Sequence, residues 1–511
     1  MTATKPMERA APAPGAPRWK RDSGLWEPAG LALCAALALA LAVSSPPWVP
    51  QQIWGMCAAP AYAAAAVAAW RRPGRWAPLT RAIAVAGAIV LPLVLLAVLG
   101  KAQMEVGVVE RAGELLLSTG SPYADDPRQV SDFNPYLPGM ALFGLPGAVS
   151  GDVPGLGLLA GPRLWFAVCF LAAMAAAARV AGAGSRTRPA LTLVAACPAV
   201  ALPLAIGGVD PPVVGLMCLG LAFAGRGDGG RAGVALGLAA ALKWTAWPAL
   251  PVVFVLLAVR HREAVLRCAA SAAGVLALVS APVLLTGARA CVQHVVLYPL
   301  GLADVPSSAA SPLPGHLLAT RVPHGNAVAV GALAVCAALM AASLLVRPPR
   351  GGSAAAERIA LGLALAMLLA PATRSGYVIY PLVLFCWFRL ARPGADGADP
   401  APARAGTACR YGRLIAARAP RTPVRPPCSS DPHCAGRHPR RGGTAGAAGR
   451  RCAVHRQPGR REVRHTARTE GRRGRTRFAA LARWSGLLPG SRSGSGSPSG
   501  SGPGAGTRPR S

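Results

Sequence analysis

From residue 29 to residue 390 the chain alternates long apolar runs with short polar connections. Runs of about 15–20 apolar residues are the length a helix needs to cross a bilayer. The pattern places spans near residues 29–43, 53–69, 82–99, 164–178, 190–206, 213–224, 269–285, 327–346, 359–370 and 377–388. Residues 140–149 are too short to span and read as re-entrant. Residues 234–259 are too long for one comfortable span and are interrupted by Pro248 and Pro251. They read as two short helices folded around Lys243 and Trp244. The expectation is an all-α, polytopic membrane protein of about 10–12 transmembrane helices.

The polar connections differ from one another. Arg71, Arg72, Arg75 and Arg81 cluster in one, and Arg260, Arg262 and Arg267 in another, marking cytoplasmic loops. By this rule both termini lie in the cytoplasm, with residues 1–28 as a basic, Pro-rich N-terminal segment. Residues 101–139 then face the other side. That stretch gathers Glu105, Glu110, Glu114, Asp125, Asp126 and Asp132, in a chain with 20 acidic residues against 54 basic ones. Carboxylates beside a span are costly unless they sit in water or do work, so this is the expected active-site loop. Within it VVERAGELLLS reads as an amphipathic interfacial helix, with Glu110 and Glu114 on its wet face. Residues 286–325 form a second outer loop.

Composition narrows the class. Of 511 residues 53% are hydrophobic and 14% charged, as in membrane proteins. The net charge of +34 does not indicate nucleic-acid binding, because much of the basic excess falls after Ala391. Residues 391–511 are rich in Arg, Gly, Pro and Ser and are expected to be disordered. Two other readings of that tail stay open: a polybasic lipid-headgroup contact, or an out-of-frame reading of GC-rich DNA. The 13 cysteines are scattered and imply no disulfide framework. CSSDPHC, with His438 beyond it, fits no standard zinc spacing. No metal or cofactor is expected.

Three stretches carry a resemblance: ELLLSTGSPY leading into DFNPYLPG; IGGVDPPVVGLMCLGLAFA followed by GVALGLAAALKWTAWPAL; and ATRSGYVIYPLVLFCW. In this order the chain, over residues 82–390, resembles glycosyltransferase family 87. That family includes actinobacterial mannosyltransferases that use polyprenyl-phosphate-linked sugar, and its members have the GT-C architecture. The resemblance implies a GT-C-like bundle over residues 29–390 and an acidic residue early in the first outer loop. Glu105 occupies that place, eighteen residues before Tyr123. The family more often has Asp there.

Such an enzyme needs a carboxylate to take the acceptor hydroxyl's proton and a cation to meet the departing phosphate. Glu105 is the expected base; the plainer alternatives are a solvated loop charge or an i,i+4 pair with Lys101. Asp132 is a candidate acceptor ligand or a turn former. Asp210 is a candidate ligand or a helix N-cap. Lys243 suits a lipid phosphate, unless it snorkels to the interface. Arg321, His324 and Arg374 complete the substrate-binding set, with a headgroup anchor as the alternative for Arg374.

The expected activity is transfer of a hexose, mannose in the first instance, from a polyprenyl-phosphate donor to a lipid or cell-envelope glycan acceptor. It would take place at the extracytoplasmic face of the cell membrane, with the bilayer as the other partner and no nucleic acid. A transporter or flippase is a rival reading, though the acidic residues gather in a loop instead of at the midplane. A family member without catalysis is another.

Overall fold

The computed structural model describes residues 23–390, apart from 72–76, 152–156, 183–186, 260–261, 300–301 and 306–308. The start of the N-terminal segment, Arg72, Arg75, Arg260 and the whole tail with CSSDPHC and His438 lie outside the described residues.

The described residues are helical, and strand-like pairing among them is confined to one parallel bridge between Ala310 and Thr373. Helices α1 (Ser23–Ser44) and α2 (Pro50–Arg71) pack on each other. Next come α3 (Pro78–Val85), a π turn (Ala86–Val90) and α4 (Leu91–Val98), which together form one span. Helix α5 (Met104–Thr119) follows, then 3-10 turns at Val130–Asp132 and Pro138–Phe143, and the short α6 (Leu145–Ser150) and α7 (Gly157–Ala160). Beyond these lie α8 (Pro162–Val180), α9 (Thr187–Ala196), α10 (Pro198–Ile206), α11 (Asp210–Gly225) and α12 (Gly229–Leu242). A 3-10 turn at Trp244–Ala246 leads to α13 (Ala249–Ala258) and α14 (Arg262–Val292). The last helices are α15 (Pro314–Arg321), α16 (Gly325–Val346), α17 (Gly352–Leu369) and α18 (Ile379–Leu390).

Seven of the described helical segments are long and apolar enough to cross a membrane. A bent pair, Pro189–Ala196 with Pro198–Ile206, makes an eighth if it is one span. Asp210–Gly225, Gly229–Leu242, Trp244–Ala258 and Ser375–Leu390 are apolar but shorter. The chain is thus a multi-pass membrane protein.

Two local departures from the sequence expectation have physical causes. The run at residues 190–206 is bent by 70°, because Pro198 forces Cys197 into an extended conformation (φ −63°, ψ 133°). The amphipathic helix also starts earlier than the apolar pattern suggests, at Met104, so Glu105 stands in its first turn.

Proline and small residues shape the bundle. Pro92 has no N–H to give the carbonyl of Ala88 four residues back. Trp54 Nε1–H fills that vacancy across the α2 contact, at 2.8 Å. Tyr62 donates in the same way to Ala196, the last residue before the bend, at 2.5 Å. Lipid gives little hydrophobic drive between helices, so close backbone approach must hold them together. On α12, Gly229, Gly233 and Gly237 lie against the backbone of Ala264, Cys268 and Ala272 on α14. A Cβ at Gly233 would meet the Cys268 carbonyl.

Candidate active site

Four charged side chains line one cavity of about 740 Å³: Glu105, Asp210, Lys243 and Arg374. Each stands at a helix end. Glu105 is in the first turn of α5 and Asp210 is the first residue of α11. Lys243 terminates α12 in extended conformation (φ −158°, ψ 144°). Arg374 precedes a 3-10 turn at Ser375–Val378.

Local backbone features bring these ends together. Gly207 closes α10 with a positive φ of 90°, in the left-handed region open to glycine. A Cβ there would collide with Val106 Cγ2, so the glycine also lets the α10–α11 corner sit against the turn holding Glu105. The N–H of Gln103 reaches the carbonyl of Ile206 at 3.0 Å and fastens the same junction. At the end of α12 the orphaned carbonyls are met from outside. Trp247 Nε1–H donates to Ala240, at 3.1 Å, and the Leu137 N–H to Leu242, at 3.2 Å.

The charges are arranged as two pairs. Arg374 bonds the carboxylate of Glu105, which is only 6% exposed. Lys243, 8% exposed, sets Nζ 2.5 Å from Asp210 Oδ1. That ammonium also lies 4.7 Å from the ring centre of Tyr377 and 5.7 Å from that of Tyr136, within cation–π range. Tyr380 donates its hydroxyl to Asp210 at 2.6 Å and accepts one from Thr245 at 2.7 Å. Asp210 is the first residue of α11 and Val209 its N-cap, so the aspartate does not stand at the capping position and its carboxylate is held by Lys243 and Tyr380. Burial lowers the proton affinity of Arg374, but Glu105, with Tyr136 and Tyr377, more than offsets it, and the net shift is upward. Burial first, then Glu105 and Asp210, push the Tyr136 phenol well above its ordinary value.

The loop above the cavity is pinned by a histidine. Asn134 N–H donates to His294 Nδ1 at 2.9 Å, so Nδ1 is an acceptor, and Nε2 must carry the hydrogen that meets the Ala124 carbonyl at 2.9 Å. His294 is completely buried, and its neutral imidazole joins the two ends of the Pro-rich loop. Phe133 stacks on Tyr298 at 4.3 Å beside it.

Three of the expected site residues lie elsewhere. Asp132 accepts from the N–H groups of Gln129 and Arg128, at 2.9 and 3.1 Å, which closes a 3-10 turn. Those bonds hold its carboxyl below its ordinary value. Arg321 ends α15 and His324 sits at φ 55° before α16; both are exposed. None of the three lines the cavity. Conversely, Tyr136, Tyr377, Tyr380 and Trp244 were not singled out from sequence as site residues. Among the described residues no three His, Cys, Asp or Glu side chains come close enough to hold a metal ion.

Residues 134–371 match the profile of glycosyltransferase family 87. The matched segment contains Asp210, Lys243, Arg321 and His324. It begins after Glu105 and Asp132 and ends before Arg374, so it is narrower than the resemblance read from the motifs. No curated protein and no solved structure matches the chain.

Proposed function

The chain belongs to glycosyltransferase family 87 through residues 134–371, and on that premise we propose that this membrane glycosyltransferase moves a hexose, mannose in the first instance, from a polyprenyl phosphate to a lipid or envelope-glycan hydroxyl. The face of action is the extracytoplasmic one, where the arginine pattern puts residues 101–139. The observation that carries the reading is the meeting of two carboxylates and two cations from four helix ends on one cavity.

In the proposed reaction the acceptor oxygen bonds to the anomeric carbon while the bond from that carbon to the phosphate oxygen breaks. The hydroxyl proton goes to Glu105, and polyprenyl phosphate departs as the anion. Arg374 and Lys243 meet the phosphate charge before and after the bond breaks. Arg374 is engaged by Glu105, so a donor phosphate competes with the carboxylate for the guanidinium. A guanidinium drawn to the phosphate leaves the carboxylate for the acceptor proton. Asp210, with Tyr380 behind it, keeps the Lys243 ammonium in place. The test is to incubate membranes containing the protein with radiolabelled polyprenyl-phosphate-mannose and separate the lipid and polymer fractions. Label leaving the donor for either fraction is expected. Donor recovered intact, with no excess over membranes lacking the protein, overturns the proposal.

A further inference from the structure

Besides its charged groups the cavity is lined by neutral ones, among them Trp244, Tyr298 and the segment 309–312. We propose that Trp244 is the stacking platform for an acceptor saccharide, a role that rests on the glycosyl-transfer reading above.

The indole is 41% exposed although it follows a buried lysine in the chain. Its only polar atom is already used, because Nε1–H donates to the Val295 carbonyl at 3.1 Å. Trp247 supports the ring from the side, with centres 4.7 Å apart at 42°. Hydrogen bonding at Nε1 is spent, so what Trp244, a lining residue of the cavity, has left to offer a ligand is its aromatic ring. The face of such a ring is poorly satisfied by water. A pyranose offers its complement: one face of C–H bonds and an edge of hydroxyls.

The hydroxyl edge also meets a prepared surface. The segment 309–312 is held by the Ser311 N–H to the Thr373 carbonyl and the Thr373 N–H to the Ala309 carbonyl, both 2.9 Å. Ser311 Oγ accepts from the Ser375 N–H at 3.0 Å, and its own O–H remains a donor for a ligand. An anionic donor is drawn to Lys243 and Arg374, which leaves the neutral lining for an uncharged saccharide.

The test uses the purified full chain in detergent, with methyl α-mannoside and methyl α-glucoside as probes in saturation-transfer NMR. Saturation of the sugar C–H protons is expected with the unaltered chain and with Trp244→Phe, and should be lost with Trp244→Leu. The leucine keeps apolar bulk without the π face. In the transfer assay Trp244→Leu should raise the acceptor KM roughly tenfold, the size of a lost aromatic contact, with the donor KM unchanged. Equal saturation in the Leu and Phe variants, or none in the unaltered chain, overturns the platform; the indole is then a membrane-interface anchor. Saccharide contact in a chain that transfers nothing strikes the glycosyl-transfer reading and leaves the stacking standing.

Discussion

Lys243 and Asp210 form a buried ion pair 2.5 Å long, with side chains 10% and 16% exposed. Both charges have left water, and their attraction, the two tyrosine rings and the Tyr380 hydroxyl replace the lost hydration. Removing one partner strands the other. Lys243→Ala should therefore lower stability by about 3–5 kcal/mol, the usual effect of leaving a buried charge unpaired. Replacing both residues with apolar ones of similar size, Lys243→Met with Asp210→Leu, should recover most of that loss. Thermal unfolding in detergent measures the difference. Transfer activity should be absent in the single and the double variant alike, which separates the pair's part in binding from its part in stability.

Trp54→Phe tests the proline compensation in the third span. The ring remains, but the Ala88 carbonyl that Pro92 leaves bare loses its donor. An unsatisfied buried carbonyl costs about 1–3 kcal/mol, and a lower unfolding temperature should report it. Pro92→Ala in the same background restores a backbone N–H and should return part of the stability.

Asp132 gives a pH signature away from the cavity. Backbone N–H bonds from Gln129 and Arg128 hold its folded-state carboxyl below the ordinary value, which is about 3.9 in the unfolded chain. Depression means that the stabilising contribution is fully present above about pH 4 and is lost as pH falls through the lower folded value. Protection of the amides of residues 128–134, taken relative to their intrinsic exchange rate at each pH, should fall in acid in the unaltered chain. Asp132→Asn should show lower protection already at neutral pH and little further loss of it in acid.

Much of the bundle was legible because lipid-crossing helices need long apolar runs: the run at 327–346 falls within α16, and the run at 359–370 lies in α17 but for its last residue, the C-cap Ala370. Glu105, Asp210, Lys243 and Arg374 were candidates by their chemistry, and the structure brings these four together on one cavity. What sequence could not give was the pairing. That Arg374 meets Glu105, 269 positions earlier, depends on helix packing that no local pattern encodes. Asp132, Arg321 and His324 looked equivalent to the others as polar loop residues, yet they sit at a turn or on the exposed surface. Tyr136 and Tyr377 lay within the quoted PYLPG and GYVIY stretches. Their part as rings around an ammonium becomes visible only once Lys243 stands between them.

The central claim is that Glu105 takes the acceptor proton, and the most direct measurement is turnover of polyprenyl-phosphate-mannose by Glu105→Gln beside the unaltered chain. Glutamine keeps the size and can still bond Arg374 through its carbonyl, but it does not accept the proton. Turnover should fall by roughly 10²–10⁴-fold, the usual contribution of a general base, while donor binding changes little because Lys243 and Arg374 remain. Wild-type turnover in Glu105→Gln would contradict the account and move the search for the base to Asp210.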